Sequence, residues 1–337
     1  MKKDAIENRT RVRLGLVPTH LKFAGSLAPD NEGRLPRNND GDLITLAGVR
    51  EIQELSPVKL DCVQITTFAD AHAGDVDELF SGLKSLGVEP QTVMMVGGVN
   101  PMDPADEDAV VAQLLKNLDI ALRHDISEIN STSIEAWMEC DAPKDEADYQ
   151  ARLAQVVKLH ARVYREANLA GSCVKSWNIE FLRPGEFQTF TTLGRLNEVL
   201  ASLNLEIGEV FFRGLVDAAH IGDSGLSIAE NEAIMDSVGA SDHLGAFHAS
   251  AKTTRGCLST DDGWVGAMLT AAAKTGKLTQ VYVEIFHHED VGLQALRDLD
   301  PGHGIDTTDG RTYAETVVDG LVDVTRRLNN LKARNIL

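Results

Sequence analysis

Four residues have the types and spacing to do chemistry. Glu180 closes the run "VKSWNIE" and Asp217 closes "FFRGLVD". His248 lies in "LGAFHA" and Glu284 ends "QVYVE". Each is a ligand-type side chain at the end of a short apolar run. Successive members lie roughly 30 to 40 residues apart, about one strand–helix unit. Taken singly, a carboxylate at a strand exit is most often a cap or a surface group. Four in register are harder to dismiss. Three carboxylates and one imidazole make a site for one divalent ion. The oxygen-rich, thiolate-free set favours Mn²⁺, with Mg²⁺ or Co²⁺ as alternatives, over structural Zn²⁺. Without a cation, three converging carboxylates repel, and some must take up protons.

Such convergence requires a scaffold that brings consecutive strand ends together. Eight short runs, often β-branched, recur along the chain. They begin near Val12, Leu60, Thr92, Ile126, Val174, Phe211, Leu244 and Gln280. Between them lie stretches with apolar residues at spacings of three and four, the helical period. Examples are "LITLAGVREIQEL", "EDAVVAQLLKNLDIALRH" and "TYAETVVDGLVDVTRRLNNL". Asp103-Pro104 marks a helix start and Gly87 a helix end. Eight alternations predict an α/β fold, a (β/α)8 TIM barrel, as a single domain over residues 1–337. In that fold the active site lies where strand C-termini meet their following loops. One connection is unusually long: residues 18–42, after the first strand, read as a structureless lid or partner contact.

Composition narrows the function classes. The chain has 337 residues, 43% of them hydrophobic, enough for a large core. Its formal net charge of −19 opposes nucleic acid and anionic membrane surfaces as partners. The four cysteines, Cys62, Cys140, Cys173 and Cys257, are scattered, which suits a reducing cytoplasm. The opening "MKKDAIENRTRVRLG" carries acids and lacks the apolar core of a signal peptide. No apolar run approaches the roughly 18 residues of a membrane span.

From about Val174 to Ile285 the chain resembles the xylose-isomerase-like barrel superfamily, and in motif the ketose 3-epimerases. The resemblance rests on an ordered set: Glu180, "DAAH" from Asp217 to His220, "HAS" from His248, and Glu284. Glu186 stands six positions after Glu180, as in that family, and Arg255-Gly256 lies in the loop after "HAS", which ends at Trp264. The resemblance implies that Glu180, Asp217, His248 and Glu284 hold the metal. Glu180 and Glu284 would also be the catalytic pair, moving a proton on and off a carbon next to a carbonyl. His220, Glu186 and Arg255 would bind substrate, a small carbohydrate, with His220 facing substrate rather than metal. The implied activity is a metal-dependent sugar isomerase or epimerase. The alternative within the same superfamily is a lyase that eliminates from 3-oxo-glycosides. A homo-oligomer is expected, with a small partner subunit under the lyase reading.

The first half departs from the family in its long first loop and in the fourth-strand exit "EINSTSIEAW"; "FHHED" after Glu284 is a further departure. His20, His72, His287 and His288 are candidate pocket contacts. Trp177 is expected to pack within the barrel, and Cys257 to be a small apolar filler.

Overall fold

A computed structural model describes residues 5–24 and 27–337. Its eight strands are β1 (Arg13–Val17), β2 (Cys62–Thr66), β3 (Glu89–Met94), β4 (Glu128–Ser131), β5 (Ser176–Glu180), β6 (Phe212–Asp217), β7 (Leu244–Ala249) and β8 (Gln280–Glu284). All pair in parallel with their sequence neighbours, and β1 pairs β8, so the sheet closes. This is the expected (β/α)8 barrel. Helices cover it, among them α1 (Ile44–Leu55), α2 (Ala73–Ser85), α3 (Glu107–Arg123), α4 (Glu146–Glu166) and α5 (Leu193–Ile207). They continue with α6 (Ala218–Gly222), α7 (Ile228–Ala240), α8 (Trp264–Lys274), α9 (Gln294–Leu299) and α10 (Tyr313–Ala333). No described helix is long and apolar enough to cross a membrane.

The punctuation read from the sequence is in place. The Asp103 side chain accepts from the Ala105 backbone N–H, opening the turn that leads into α3. Gly87 takes φ +74° just past α2, a conformation that favours glycine. One strand differs from its expected start. β3 begins at Glu89 rather than Thr92. Its first residues, "EPQ", carry no apolar signal because they border a polar barrel floor. There Gln91 Nε2 donates to Gln280 Oε1 (2.7 Å), Asn130 to Gln91 (3.2 Å) and Asn178 to Asn130 (3.0 Å). Arg13 adds ion pairs to Glu89 and Glu128. Buried amides are tolerated here because each finds a partner.

Close packing inside the barrel depends on Gly15. A β-carbon there would meet the Tyr282 ring at 2.2 Å. An aromatic ring in a fully buried site cannot step aside. Gly15→Ala is expected to destabilise the fold by about 1–3 kcal/mol through overpacking, measurable as a lowered urea midpoint at unchanged slope.

The 18–42 connection is not structureless. Pro18–Ala24 forms a 3-10 helix, and Arg37 bridges Leu43. The loop is fastened to α2 at one carboxylate. Asp75 accepts from Arg34 Nε (2.8 Å) and Nη2 (2.6 Å), from Arg37 Nη2 (3.0 Å) and from the Leu35 N–H (3.0 Å). Four charge-assisted or backbone bonds on one buried acid order a segment whose composition alone reads as coil.

Candidate active site

The barrel places the four candidate ligands on one rim. Glu180, Asp217 and Glu284 are the last residues of β5, β6 and β8, and His248 is the second-last of β7. Strand register sets Asp217 beside His248. All four are buried. Asp217 also starts α6: its Oδ1 accepts from the Ala219 N–H (2.5 Å) and the His220 N–H (3.4 Å). That leaves Oδ2 facing the site. His248 Nδ1 lies 3.5 Å from Glu284 Oε2 and 3.8 Å from Glu180 Oε1. Its Nε2 is 2.7 Å from Gln64 Oε1.

Burial and crowding of like charges set the electrostatics of the site. Burial pushes the Glu180 carboxyl well up, with Glu284 and Asp217 adding to the rise. Burial likewise raises Asp217 to about 7 against the pull of Arg255. His248 would be lowered by burial, yet Glu284 and the other carboxylates lift it to about 9. Burial also opposes the Glu284 charge, but His248 and Arg255 outweigh it and hold Glu284 near 2. His248 Nδ1, turned toward two carboxylates, has no hydrogen-bond partner although it is buried. Asp217, His248 and Glu284 offer ligand atoms within 4.8 Å of one another. The donor set and the orphaned nitrogen fit a divalent cation.

The three expected substrate contacts surround this cluster. Arg255 is buried, with Nη1 3.3 Å from Asp217 Oδ2 and 3.4 Å from Glu284 Oε2. Its Nη2 reaches Glu186 Oε2 at 3.6 Å. Glu186 is further fixed by Trp137 Nε1 (3.1 Å) and Arg183 Nε (3.0 Å). His220 Nε2 lies 3.3 Å from Glu180 Oε1 and 3.6 Å from Asp217 Oδ2. It therefore sits closer to the ligand cluster than a purely outward substrate contact would. Its Nδ1 accepts from the Arg183 backbone N–H (3.1 Å), and Arg255 Nη2 lies 2.8 Å from its Nε2. Burial and the neighbouring Arg255 hold its pKa well below the usual value.

Arg183 was not among the candidates. It is buried, and besides Glu186 it binds Asp223 (3.1 Å) and Asp300 (3.0 Å) through Nη1. It joins the loop after β5 to α6 and to the excursion after β8. The one available signal was a basic residue between Glu180 and Glu186 in "EFLRPGE". Glu135, in the unusual β4 exit, is buried and accepts from the N–H groups of Gln188, Thr189 and Phe190, fixing the loop before α5.

The other histidines divide. His20 is buried without a partner on either ring nitrogen, and burial lowers it to about 4. His72 is exposed at the start of α2. His287 and His288 stack with Tyr313. Trp177 is fully buried, but against His160 of α4, outside the barrel interior, with Nε1 donating to Ser131 Oγ (2.8 Å). Cys257 is buried and more polar in its contacts than a filler, 3.3 Å from Arg311 Nη2 and 3.1 Å from Ser259 Oγ.

A cleft of about 260 Å³ opens above the cluster. Glu180, Glu186, His220, His248, Arg255 and Glu284 line its polar side. Met95, Trp137, Leu182, Phe286, Leu293 and Leu296 form an apolar wall, and Gln64, Thr66, Ser131 and Thr132 add polar groups.

Solved structures share this architecture. A D-allulose 3-epimerase from Methylomonas sp., in complex with D-allulose, superposes with a TM-score of 0.68 at 15% identity, over 95% of this chain and 99% of that one. D-Psicose 3-epimerase from Clostridium cellulolyticum, with D-tagatose, gives 0.64 at 14%, over 94% and 99%. The chain shares the closed (β/α)8 barrel fold of these proteins. The IolI protein with a bound zinc atom gives 0.62 at 13%, over 94% and 99%. No protein-family profile and no curated protein sequence matches the chain.

Proposed function

We propose that this protein is a divalent-metal-dependent carbohydrate isomerase or epimerase, acting by proton abstraction next to a carbonyl. One observation carries the reading: three buried carboxylates and the His248 imidazole stand at four consecutive strand ends, with ligand atoms of Asp217, His248 and Glu284, and of Glu180, Asp217 and His220, each within 4.8 Å of one another. The similarity of fold to ketose 3-epimerases supports it. Glu180, Asp217, His248 and Glu284 would hold the ion, Mn²⁺ in preference to Mg²⁺ or Co²⁺. Bound there, the ion would act as a Lewis acid that lowers the energy of an enediolate.

The chain's own residues do the rest. Glu180 and Glu284 stand on opposite sides of the cluster, on strands separated by β6 and β7. One takes the proton from the carbon and the other returns one to the opposite face. Arg255 adds fixed positive charge where the oxyanion develops. His220, held between Arg183 and Arg255, flanks the substrate, and Glu186, braced by Trp137 and Arg183, accepts from a substrate hydroxyl. The apolar wall excludes water from the carbanion.

That same wall favours a second reading. Met95, Leu182, Phe286, Leu293 and Leu296 have no hydrogen-bonding side chain, and the Trp137 N–H is already taken by Glu186, so this side suits a non-sugar group. The same proton abstraction then becomes elimination from a 3-oxo-glycoside, with a small subunit as a possible companion. Free ketohexoses and 3-oxo-glycosides, incubated separately with the Mn²⁺-loaded protein in deuterium oxide, separate the two. Deuterium in recovered ketohexose is expected under the first reading. Aglycone release without ketohexose exchange would replace it with the second, and neither signal would sink both. Within this reading the protein works in the cytoplasm as a homo-oligomer.

A further inference from the structure

Gln64 belongs to none of the roles above. It lies on β2, well separated in sequence from the four ligand-bearing strands, and is fully buried beneath the cleft. Its Oε1 is 2.7 Å from His248 Nε2. An amide oxygen only accepts, so the proton of the neutral imidazole sits on Nε2. In the neutral ring that an ion would bind, the lone pair is then left on Nδ1, the atom that faces Glu284 at 3.5 Å and Glu180 at 3.8 Å. The amide nitrogen of Gln64 is also buried without a partner. A buried donor left unpaired is costly, and this one borders the cleft.

We infer that Gln64 is the positioning residue of the metal centre: it fixes the His248 tautomer so that Nδ1 faces the ion, and offers its amide N–H to an oxygen held in the cleft. This rests on the proposed metal centre. The choice of an amide has a physical reason. A carboxylate would accept the same bond, but it would place a fourth buried acid beside Glu180, Asp217 and Glu284. Glutamine orients the ring without adding charge.

The test is Mn²⁺ affinity, measured on metal-free protein by competition with a chelating dye. Gln64→Met keeps the length of the side chain and removes the acceptor. It is expected to weaken Mn²⁺ binding by about 10–100-fold, the range for losing an outer partner of a ligating histidine. Gln64→Glu restores the acceptor, at the cost of an added buried acid, and is expected to bind Mn²⁺ at least about tenfold more tightly than Gln64→Met. Parent-like affinity in Gln64→Met would overturn the inference. So would a Gln64→Glu protein as weak as Gln64→Met, because packing rather than the hydrogen bond would then be the cause. Should Gln64→Met not fold, as judged by its thermal transition, Gln64→Glu alone decides: tenfold loss overturns, parent affinity supports. Failure of the metal centre itself reads differently, because the parent protein would then bind no Mn²⁺ at all.

Discussion

Glu284→Gln and Glu180→Gln are each expected to lower turnover by about 10³-fold or more. The amide matches the carboxylate in shape, so the barrel should fold. What is lost is a proton acceptor, which alone contributes about 10²–10⁴-fold, together with one anionic ligand. Both residues share contacts with His248, and Glu284 also meets Arg255 at 3.4 Å. The two variants should nevertheless differ in a diagnostic way. If the carboxylates serve opposite faces of one carbon, each variant keeps the base for one epimer only. Each should then exchange solvent deuterium into one epimer and not the other, with the preference reversed between variants. Nuclear magnetic resonance of the recovered sugar reads this directly. Loss of exchange with both epimers in both variants would assign the pair to metal binding alone.

The strand ends were legible because chemistry and period coincide there. An apolar run signals a strand, and the residue that breaks it is the one aimed at the site. Glu180, Asp217 and Glu284 each end a strand in this way, and His248 falls one residue earlier. The same logic failed at β3, where "EPQ" is polar because the barrel floor is a network of amides rather than a layer of branched apolar side chains. It failed again at Gln64 and Arg183. Their importance lies in partners 184 and 117 residues away, His248 and Asp300, and no local pattern encodes such a contact. The long first loop misled for a related reason. Its order comes from Asp75 on α2, outside the loop itself.

Chelation is expected to lower the melting temperature, and by more at pH 8 than at pH 6. Asp217 and His248 set the sign, and Glu180, also raised by burial, acts in the same direction as Asp217. Asp217 rises from the ordinary 3.8 to about 7 in the metal-free fold, chiefly through burial. A raised carboxyl favours the folded state less and less as pH climbs from about 4 to 7, because the unfolded chain has already released its proton. His248 rises from 6.5 to about 9 under Glu284 and its neighbours, despite burial. Its contribution is fully present below about 6.5 and is lost as pH rises through 9. Glu284 behaves oppositely, but near 2 its transition lies outside this window. The metal-free protein therefore weakens between pH 6 and 8. Over the same interval the ion gains affinity, since ligands must shed protons to bind it. Each proton released is worth about 1.4 kcal/mol per pH unit. With Mn²⁺ at a hundredfold over its dissociation constant, the stabilisation is about 2.7 kcal/mol. Paired thermal scans with Mn²⁺ and with chelator at the two pH values measure the difference. An ion-dependent shift that shrinks toward pH 8 would mean that Asp217 and His248 are not shedding protons to a metal.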